Sequence, residues 1–95
     1  MGAPVSLGDV SDLKSEDEKR RLFLVTAEDT PDALMRVLGV ASVQQVRLRA
    51  LIAQPDGADI SIRLEIDDQG DARAQTLAAR LASVPAVRGV GHGWR

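Results

Sequence analysis

The sequence is poor in the side chains that carry redox, metal and stacking chemistry. Its 95 residues include no cysteine, one histidine and two aromatic side chains, Phe23 and Trp94. Without cysteine the chain forms neither disulfides nor thiolate metal sites, a composition that fits a cytoplasmic protein. Two aromatic residues do not make a platform on which nucleic-acid bases stack. These absences exclude a disulfide scaffold and disfavour an RNA-binding sheet.

A strong charge of one sign and a long apolar run are also absent. The formal net charge is −2, and residues 1–19 alone carry −3 through five acids and two lysines. No basic patch indicates nucleic acid, no stretch is apolar for long enough to span a membrane, and no basic-then-apolar signal opens the chain. We therefore expect a cytoplasmic protein that has neither nucleic acid nor a membrane as a partner.

Length and composition predict one small domain behind a tail. Residues 1–19 mix glycine, proline, serine and acids without apolar periodicity, which predicts a flexible tail. Residues 20–95 form the predicted domain. Because so short a chain has a thin core, pairing with another chain would add stability, and we expect a homodimer.

Hydrophobic periodicity predicts six elements in the order βαββαβ. Alternation of apolar and polar residues predicts strands over 20–27, 46–53, 60–66 and 87–94. Spacings of three and four residues predict helices that begin at Pro31 and Asp71, with turns at 54–57 and 67–70. With right-handed crossovers this order is an α+β, ferredoxin-like sandwich, a four-stranded antiparallel sheet with two helices on one face.

The other face of such a sheet is uncovered and is the predicted partner surface. Alternation turns Phe23 toward the core and Leu22 toward the uncovered face. In the second strand it turns the even-numbered residues from Val46 to Ile52 toward the core. The predicted partner surface then consists of Leu22, Leu24, Arg49, Leu51 and Arg63. The alternatives for the arginines, Arg47 included, are a stripe that holds an anion and a solvated or salt-bridged sheet face.

Isolated residues that suggest chemistry are better explained by structure. His92 lacks companions for a zinc site and is interpreted as an ordinary residue of the last strand. Asp67, Asp68 and Asp71 lack the spacing of a calcium loop and are interpreted as a helix-capping turn. The glycines at 89, 91 and 93 precede no helix, so they do not form a phosphate loop. No nucleophile and base pair up in the sequence, so we predict no catalytic and no metal-binding residues.

The joint between the first strand and the first helix is the predicted ligand site. Thr30 is a good N-cap and Pro31 suits the first helical position, so the helix end offers N–H groups to a carboxylate. Asp29 can meet an ammonium group, and the two features together suit an amino acid. The alternative is capping without a ligand, because Asp32 places negative charge where a carboxylate would bind.

At this joint the sequence resembles the ACT domain, and more narrowly the small regulatory subunits of acetohydroxyacid (acetolactate) synthase. Those subunits often read Glu-Asn-x-x-Gly-Ala-Leu-x-Arg-Val-x-Gly after the first strand. The residues that match in register are Glu28, Ala33, Leu34, Arg36, Val37 and Gly39. The resemblance extends over residues 21–93 and implies a branched-chain amino acid effector at a dimer interface. The positions that it assigns to the ligand are Asp29, Thr30, Asp32, Ala33, Leu34, Arg47 and Leu48.

Three departures from the family pattern bear on that effector. The family's asparagine is Asp29 and its glycine is Asp32, while Gly-Tyr-Asn-Ile before the second strand is replaced by residues 45–48. A side chain in place of the glycine obstructs the close approach of a ligand, and an acid repels its carboxylate. Residues 30–34 are similar instead to the Asn-Pro-Glu-Thr-Leu of some valine-insensitive small subunits. The resemblance then implies a short, single-ACT subunit of branched-chain amino acid biosynthesis, which activates and stabilises a large thiamine-diphosphate enzyme.

Two functions stay open from the sequence. The first is a non-catalytic subunit that binds a large synthase subunit, raises its activity and holds no cofactor of its own. The second is a stand-alone amino-acid sensor, a homodimer with the ligand at the subunit boundary. An enzyme on the same scaffold would require a pocket with coupled titrating groups, and the sequence offers none.

Overall fold

The predicted order of elements is confirmed in the computed structural model, which describes residues 19–94. The elements are β1 (Arg20–Glu28), α1 (Pro31–Val43), β2 (Leu48–Asp56), β3 (Asp59–Asp67), α2 (Asp71–Ala82) and β4 (Val87–Trp94). The predicted tail over residues 1–19 lies outside the described residues except for Lys19. No helix in the described part is long and apolar enough to cross a membrane.

The four strands form one antiparallel sheet in the order β2-β3-β1-β4, so β1 and β3 are central. Both helices pack on one face of the sheet, which confirms the predicted ferredoxin-like sandwich. The side chains at its centre are fully buried, and they are Phe23, Val25, Ile62, Leu64, Leu77 and Leu81. These residues come from β1, β3 and α2, so the core joins the central strands to the helical layer.

Helix α1 begins as its sequence predicts. The Thr30 hydroxyl accepts a hydrogen bond from the N–H of Ala33 at 3.1 Å, and Pro31 occupies the first helical position. Val37 and Ala41 are buried, and Leu34 with Leu38 packs at the edge of the core. The spacing of three and four residues therefore places one stripe of the helix against the sheet.

The turn between β2 and β3 lies later than predicted. Asp56 pairs with Asp59, so the connection consists of Gly57 and Ala58 rather than residues 54–57. Gly57 has a φ of 64°, a left-handed conformation that glycine adopts at little cost. Pro55, which suggested a turn, lies within β2. An edge strand tolerates proline because one of its sides forms no ladder hydrogen bonds.

The predicted facing of β2 is wrong beyond Leu48. The register between β2 and β3 shifts between Leu48 and Ala50, as in a β-bulge. Leu51 is consequently paired with Leu64 and faces the helical side, whereas Ile52 is paired with Arg63 on the uncovered side. An extra residue in a strand reverses the alternation that follows it, so the prediction of Leu51 in the partner surface is corrected to Ile52.

A buried arginine closes the end of the sandwich where β1 begins. Arg21 shares the helical side of β1 with the core residues, and its side chain is only 7% exposed. Its guanidinium lies 3.8 Å from the centroid of the Trp94 ring and forms ion pairs with Asp68 and Asp71. Asp68 also accepts a hydrogen bond from the N–H of Gly70 at 2.9 Å, which fixes the turn before α2. All three acids considered for a cation loop thus bind an arginine, since Asp67 is paired with Arg49. The described residues contain no cluster of potential metal ligands.

Two of these acids make stability depend on pH. Hydrogen bonds from Arg49 lower the pKa of Asp67, and the Gly70 N–H followed by Arg21 lowers the pKa of Asp68. Both carboxyl groups are more acidic in the folded chain than in the unfolded chain. As the pH falls, the unfolded chain therefore binds more protons than the folded chain does. Their contribution to the free energy of unfolding is fully present above the pKa of an unfolded aspartate, about 3.9. It is lost as the pH falls through the lower pKa values of the folded chain.

We expect urea denaturation midpoints to stay level from neutral pH to about pH 5 and to fall below about pH 4. The double variant Asp67→Asn/Asp68→Asn should be less stable at neutral pH and should show a smaller acid-induced fall. Asp29→Asn is the matched control, because Asp29 is exposed and forms no ion pair within the described residues. Equal acid dependence in the double variant and the unmodified chain would exclude this explanation.

Candidate functional site

The β1–α1 joint exposes two carboxylates at the start of the helix. Asp29 follows β1 and is exposed, and Asp32 in the first turn is also exposed. The Asp32 carboxylate accepts a hydrogen bond from the Arg36 Nε at 2.7 Å, one turn along the helix. The Ala33 side chain is fully buried in the core. The joint therefore presents acid to the solvent, and the Ala33 side chain packs in the core.

Few N–H groups of the first helical turn remain available to an anion. Pro31 has no N–H, and the N–H of Ala33 is bound by the Thr30 hydroxyl. The N–H of Leu34 donates to the Thr30 carbonyl. Asp32 supplies the remaining N–H of this turn, and its own carboxylate opposes an incoming anion. This arrangement favours capping over the binding of a ligand carboxylate.

The other two predicted ligand residues lie at the far end of the sheet. Leu48 is paired with Ile66, which is paired in turn with Arg21 near the start of β1. Asp29 follows Glu28 at the other end of the same strand. At about 3.3 Å per residue, these two ends are roughly 25 Å apart. One chain therefore does not bring Arg47 and Leu48 to the joint, and a pocket that includes both sets requires a second copy.

The uncovered face of the sheet, here called the open face, combines apolar and charged residues. It comprises Leu22, Leu24 and Thr26 of β1, Ala50, Ile52 and Gln54 of β2, Ser61, Arg63 and Glu65 of β3, and Gly89, Gly91 and Gly93 of β4. Leu24 is 47% exposed and Ile52 is 45% exposed. No element within residues 19–94 covers these side chains.

Charged residues of β3 separate the apolar residues of β1 and β2 on the open face, because Arg63 is paired with both Leu24 and Ile52. Arg49 binds the Asp67 carboxylate through two nitrogens, each at 2.8 Å. Glu65 is only 6% exposed and lies between Arg63 at 3.3 Å and Arg20 at 3.5 Å. The salt-bridged sheet face, given above as an alternative for the arginines, is therefore present at Arg49 and Arg63. Paired and partly buried charges keep fixed geometry, which suits recognition of a complementary surface.

The glycines of β4 make one side of the open face flat. Gly89, Gly91 and Gly93 are paired with Thr26, Leu24 and Leu22 of β1. An added Cβ at any of the three would meet no heavy atom within 4 Å. The fold itself therefore does not require glycine at these positions. Because glycine has no side chain, the sides of Leu22 and Leu24 that face β4 are accessible to a second surface.

Comparison with solved structures reveals similar folds at low sequence identity. The ACT domain of the GTP pyrophosphokinase of Chlorobium tepidum superposes with a TM-score of 0.71 at 18% identity, over 80% of this chain and 99% of that one. The C-terminal domain of the MgtC protein of Mycobacterium tuberculosis gives 0.71 at 20% identity, over 85% of this chain and 92% of that one. A homoserine dehydrogenase from Thiobacillus denitrificans gives 0.68 at 14% identity, over 81% of this chain and 17% of that one.

This chain has the fold of an ACT domain. No family model matches the sequence, and no curated protein matches it. The likeness to solved structures therefore supports the fold. A fold does not determine a function, so the evidence for function lies in the β1–α1 joint and the open face.

Two features of this ACT fold were missed by reasoning from the sequence. Arg21 has the same strand parity as Phe23 and Val25, so its burial could have been inferred from alternation. The place of Ile52 on the open face depends on the bulge near Arg49, and no glycine or proline marks that position. The first feature had a signal in the sequence, and the second had none.

Proposed function

We propose that this ACT domain is a non-catalytic, activating subunit of the kind that accompanies acetohydroxyacid synthase in branched-chain amino acid biosynthesis. In this proposal the chain acts in the cytoplasm, forms a homodimer through its open face and binds a large thiamine-diphosphate-dependent subunit. The dimer would raise the activity of the large subunit by binding its active state more tightly than its inactive state. The open face is the observation that carries the proposal.

The composition of the open face supports a protein partner. Leu22 and Leu24 of β1 and Ile52 of β2 flank Arg63 of β3, which is ion-paired with Glu65. Apolar side chains beside paired charges are a combination that protein interfaces use. Three strands of nine residues and one of eight cover roughly 550 Å² at usual sheet spacings, near the lower end of what one partner contributes to a standard interface.

The β1–α1 joint supports activation without feedback by an amino acid. Asp32 carries a carboxylate where a ligand carboxylate would bind, and the N–H groups of Ala33 and Leu34 are already used. An anion at this position would meet repulsion and few donors. This favours the feedback-insensitive subunit over the amino-acid sensor.

Co-purification and kinetics test the proposal directly. The full chain, mixed with the large synthase subunit encoded in the same genome, should co-elute with it and raise its kcat several-fold, as allosteric couplings commonly do. Leu24→Glu should abolish the effect if the dimer is required, whereas Gln75→Glu on the exposed side of α2 should retain it. No co-elution and no change in kcat would overturn the proposal.

Calorimetry distinguishes this function from the sensor. Titration of the full chain with valine, leucine and isoleucine should give no saturable heat up to millimolar concentrations, because the joint repels a carboxylate. Asp32→Gly restores the family glycine and removes the charge, so it should increase any weak affinity. Saturable binding of an amino acid by the unmodified chain would favour the sensor instead.

A further inference from the structure

A groove between α1 and the C-terminal end of α2 has no occupant among the described residues. Its volume is about 550 Å³, and Gly39, Val40, Val43, Val84, Arg36 and Arg80 contribute to its lining. Gly39 forms a notch in α1, since it has no side chain and an added Cβ would meet no heavy atom within 4 Å. Packing within residues 19–94 therefore does not explain the glycine.

Exposed apolar side chains continue the groove along α1. Met35 is 65% exposed and Val43 is 72% exposed, one turn before and one turn after Gly39. Residues four apart lie on the same side of a helix, so Met35, Gly39 and Val43 form one stripe. The core-facing stripe of α1 contains Val37 and Ala41, so this helix has a second apolar stripe directed outward.

The charge around the groove is positive. Arg80 lines it and forms no ion pair within residues 19–94, while Arg36 is paired with Asp32. A smaller depression shares Val43 and Arg80 and extends to Arg73. Among the described residues, none that lines either depression is acidic. An occupant should therefore combine apolar side chains with carboxylates.

We propose that the groove binds the N-terminal segment of the same chain, residues 1–18. The segment has five carboxylates against one lysine, a formal charge of −4. Its apolar side chains include Val5, Leu7, Val10 and Leu13, with Asp9 and Asp12 among them and the acids at 16–18 after them. The segment thus has both properties that the groove requires. The proposal goes beyond the proposed function and does not depend on it.

Length and tethering favour the segment over a separate partner. Eighteen residues span up to roughly 60 Å when extended, and the described part of the chain is 48 Å in its longest dimension. A tethered segment has an effective concentration on the order of millimolar. A contact with only millimolar intrinsic affinity would therefore be occupied about half of the time.

Paramagnetic relaxation in the full chain tests the proposal, because the chain has no cysteine and a single introduced thiol is unique. A nitroxide attached through Ser11→Cys should reduce the amide signals of Gly39, Val43 and Ser83 by about half or more, as expected for a tethered contact. A nitroxide attached through Ala58→Cys, at the β2–β3 turn, should leave those signals unchanged.

A substitution that fills the groove provides the second measurement. Gly39→Leu should remove the broadening from Ser11→Cys, and Gly39→Ala, which fills less of the notch, should retain most of it. Unchanged amide shifts in β1 and β3 would show that both variants are folded. Three outcomes would overturn the proposal: no selective broadening at the groove, broadening that persists in folded Gly39→Leu, or broadening of equal size between separately labelled chains in a mixed sample.

Discussion

Phe23→Ala is expected to lower the free energy of unfolding by about 3–5 kcal/mol, through lost burial and the cavity that remains. Phe23 is fully buried in the centre of β1, and its ring stacks on His92 of β4 at a centroid distance of 5.5 Å. Small domains have total stabilities of roughly 5–15 kcal/mol, so this one substitution removes a large part. Urea denaturation followed by circular dichroism measures the change.

Phe23→Leu is the matched control, because it keeps most of the apolar volume and should cost about 1 kcal/mol. The stack with His92 also explains the lone histidine as an ordinary strand residue, as its sequence context predicts. A loss below about 1 kcal/mol for Phe23→Ala would contradict the core described above.

Leu24→Glu is expected to weaken self-association at least about 100-fold, or about 2.7 kcal/mol, because each copy would bury an unpaired carboxylate in the interface. The monomer should remain folded, since Leu24 is 47% exposed and faces away from the core. Sedimentation velocity over a range of concentrations measures the change in the dimer dissociation constant. Gln75→Glu adds the same charge to an exposed position of α2 and should leave the constant unchanged.

The effect of Leu24→Glu separates two interpretations of the open face. If the face binds a second copy, the charge acts on association and leaves the denaturation midpoint of the monomer nearly unchanged. If the face is simply hydrated, a glutamate there should change neither the free energy of association nor the free energy of unfolding by more than about 0.5 kcal/mol. An unchanged dissociation constant would therefore remove the open face from the interface.

Most of the fold could be predicted from local patterns. The cap at Thr30, the apolar stripe of α1 and the alternation of β3 are signals carried by neighbouring residues, and the structure confirms each of them. Together with the right-handed crossover rule, such signals are sufficient for the order of elements and for the side on which the helices lie.

Features that depend on pairing between strands could not be predicted in the same way. The bulge near Arg49 and the late turn at Gly57 are set by how β2 and β3 align, and Pro55 within β2 indicated a turn that does not occur there. A shift of one residue exchanges Leu51 for Ile52 on the open face, whereas Leu22, Leu24 and Arg63 lie on the side of the sheet that alternation predicts.

The candidate ligand site was predictable in its position but not in its composition. The sequence places Asp29 and Asp32 at the start of α1, and the structure confirms that both are exposed there. Only the structure shows that the N–H groups of Ala33 and Leu34 are already bound, and that Leu48 lies at the opposite end of the sheet. These are consequences of hydrogen bonding and register, which local patterns do not determine.

The central claim is that a second copy covers the open face, and intermolecular nuclear Overhauser effects test it most directly. In a mixture of 13C-labelled and unlabelled full chains, the methyl groups of Leu22, Leu24 and Ile52 should give contacts to the other copy. The same sample should have twice the mass of one 10.2 kDa chain. A mass of one chain at all concentrations, or intermolecular contacts that involve only the helices, would contradict the account.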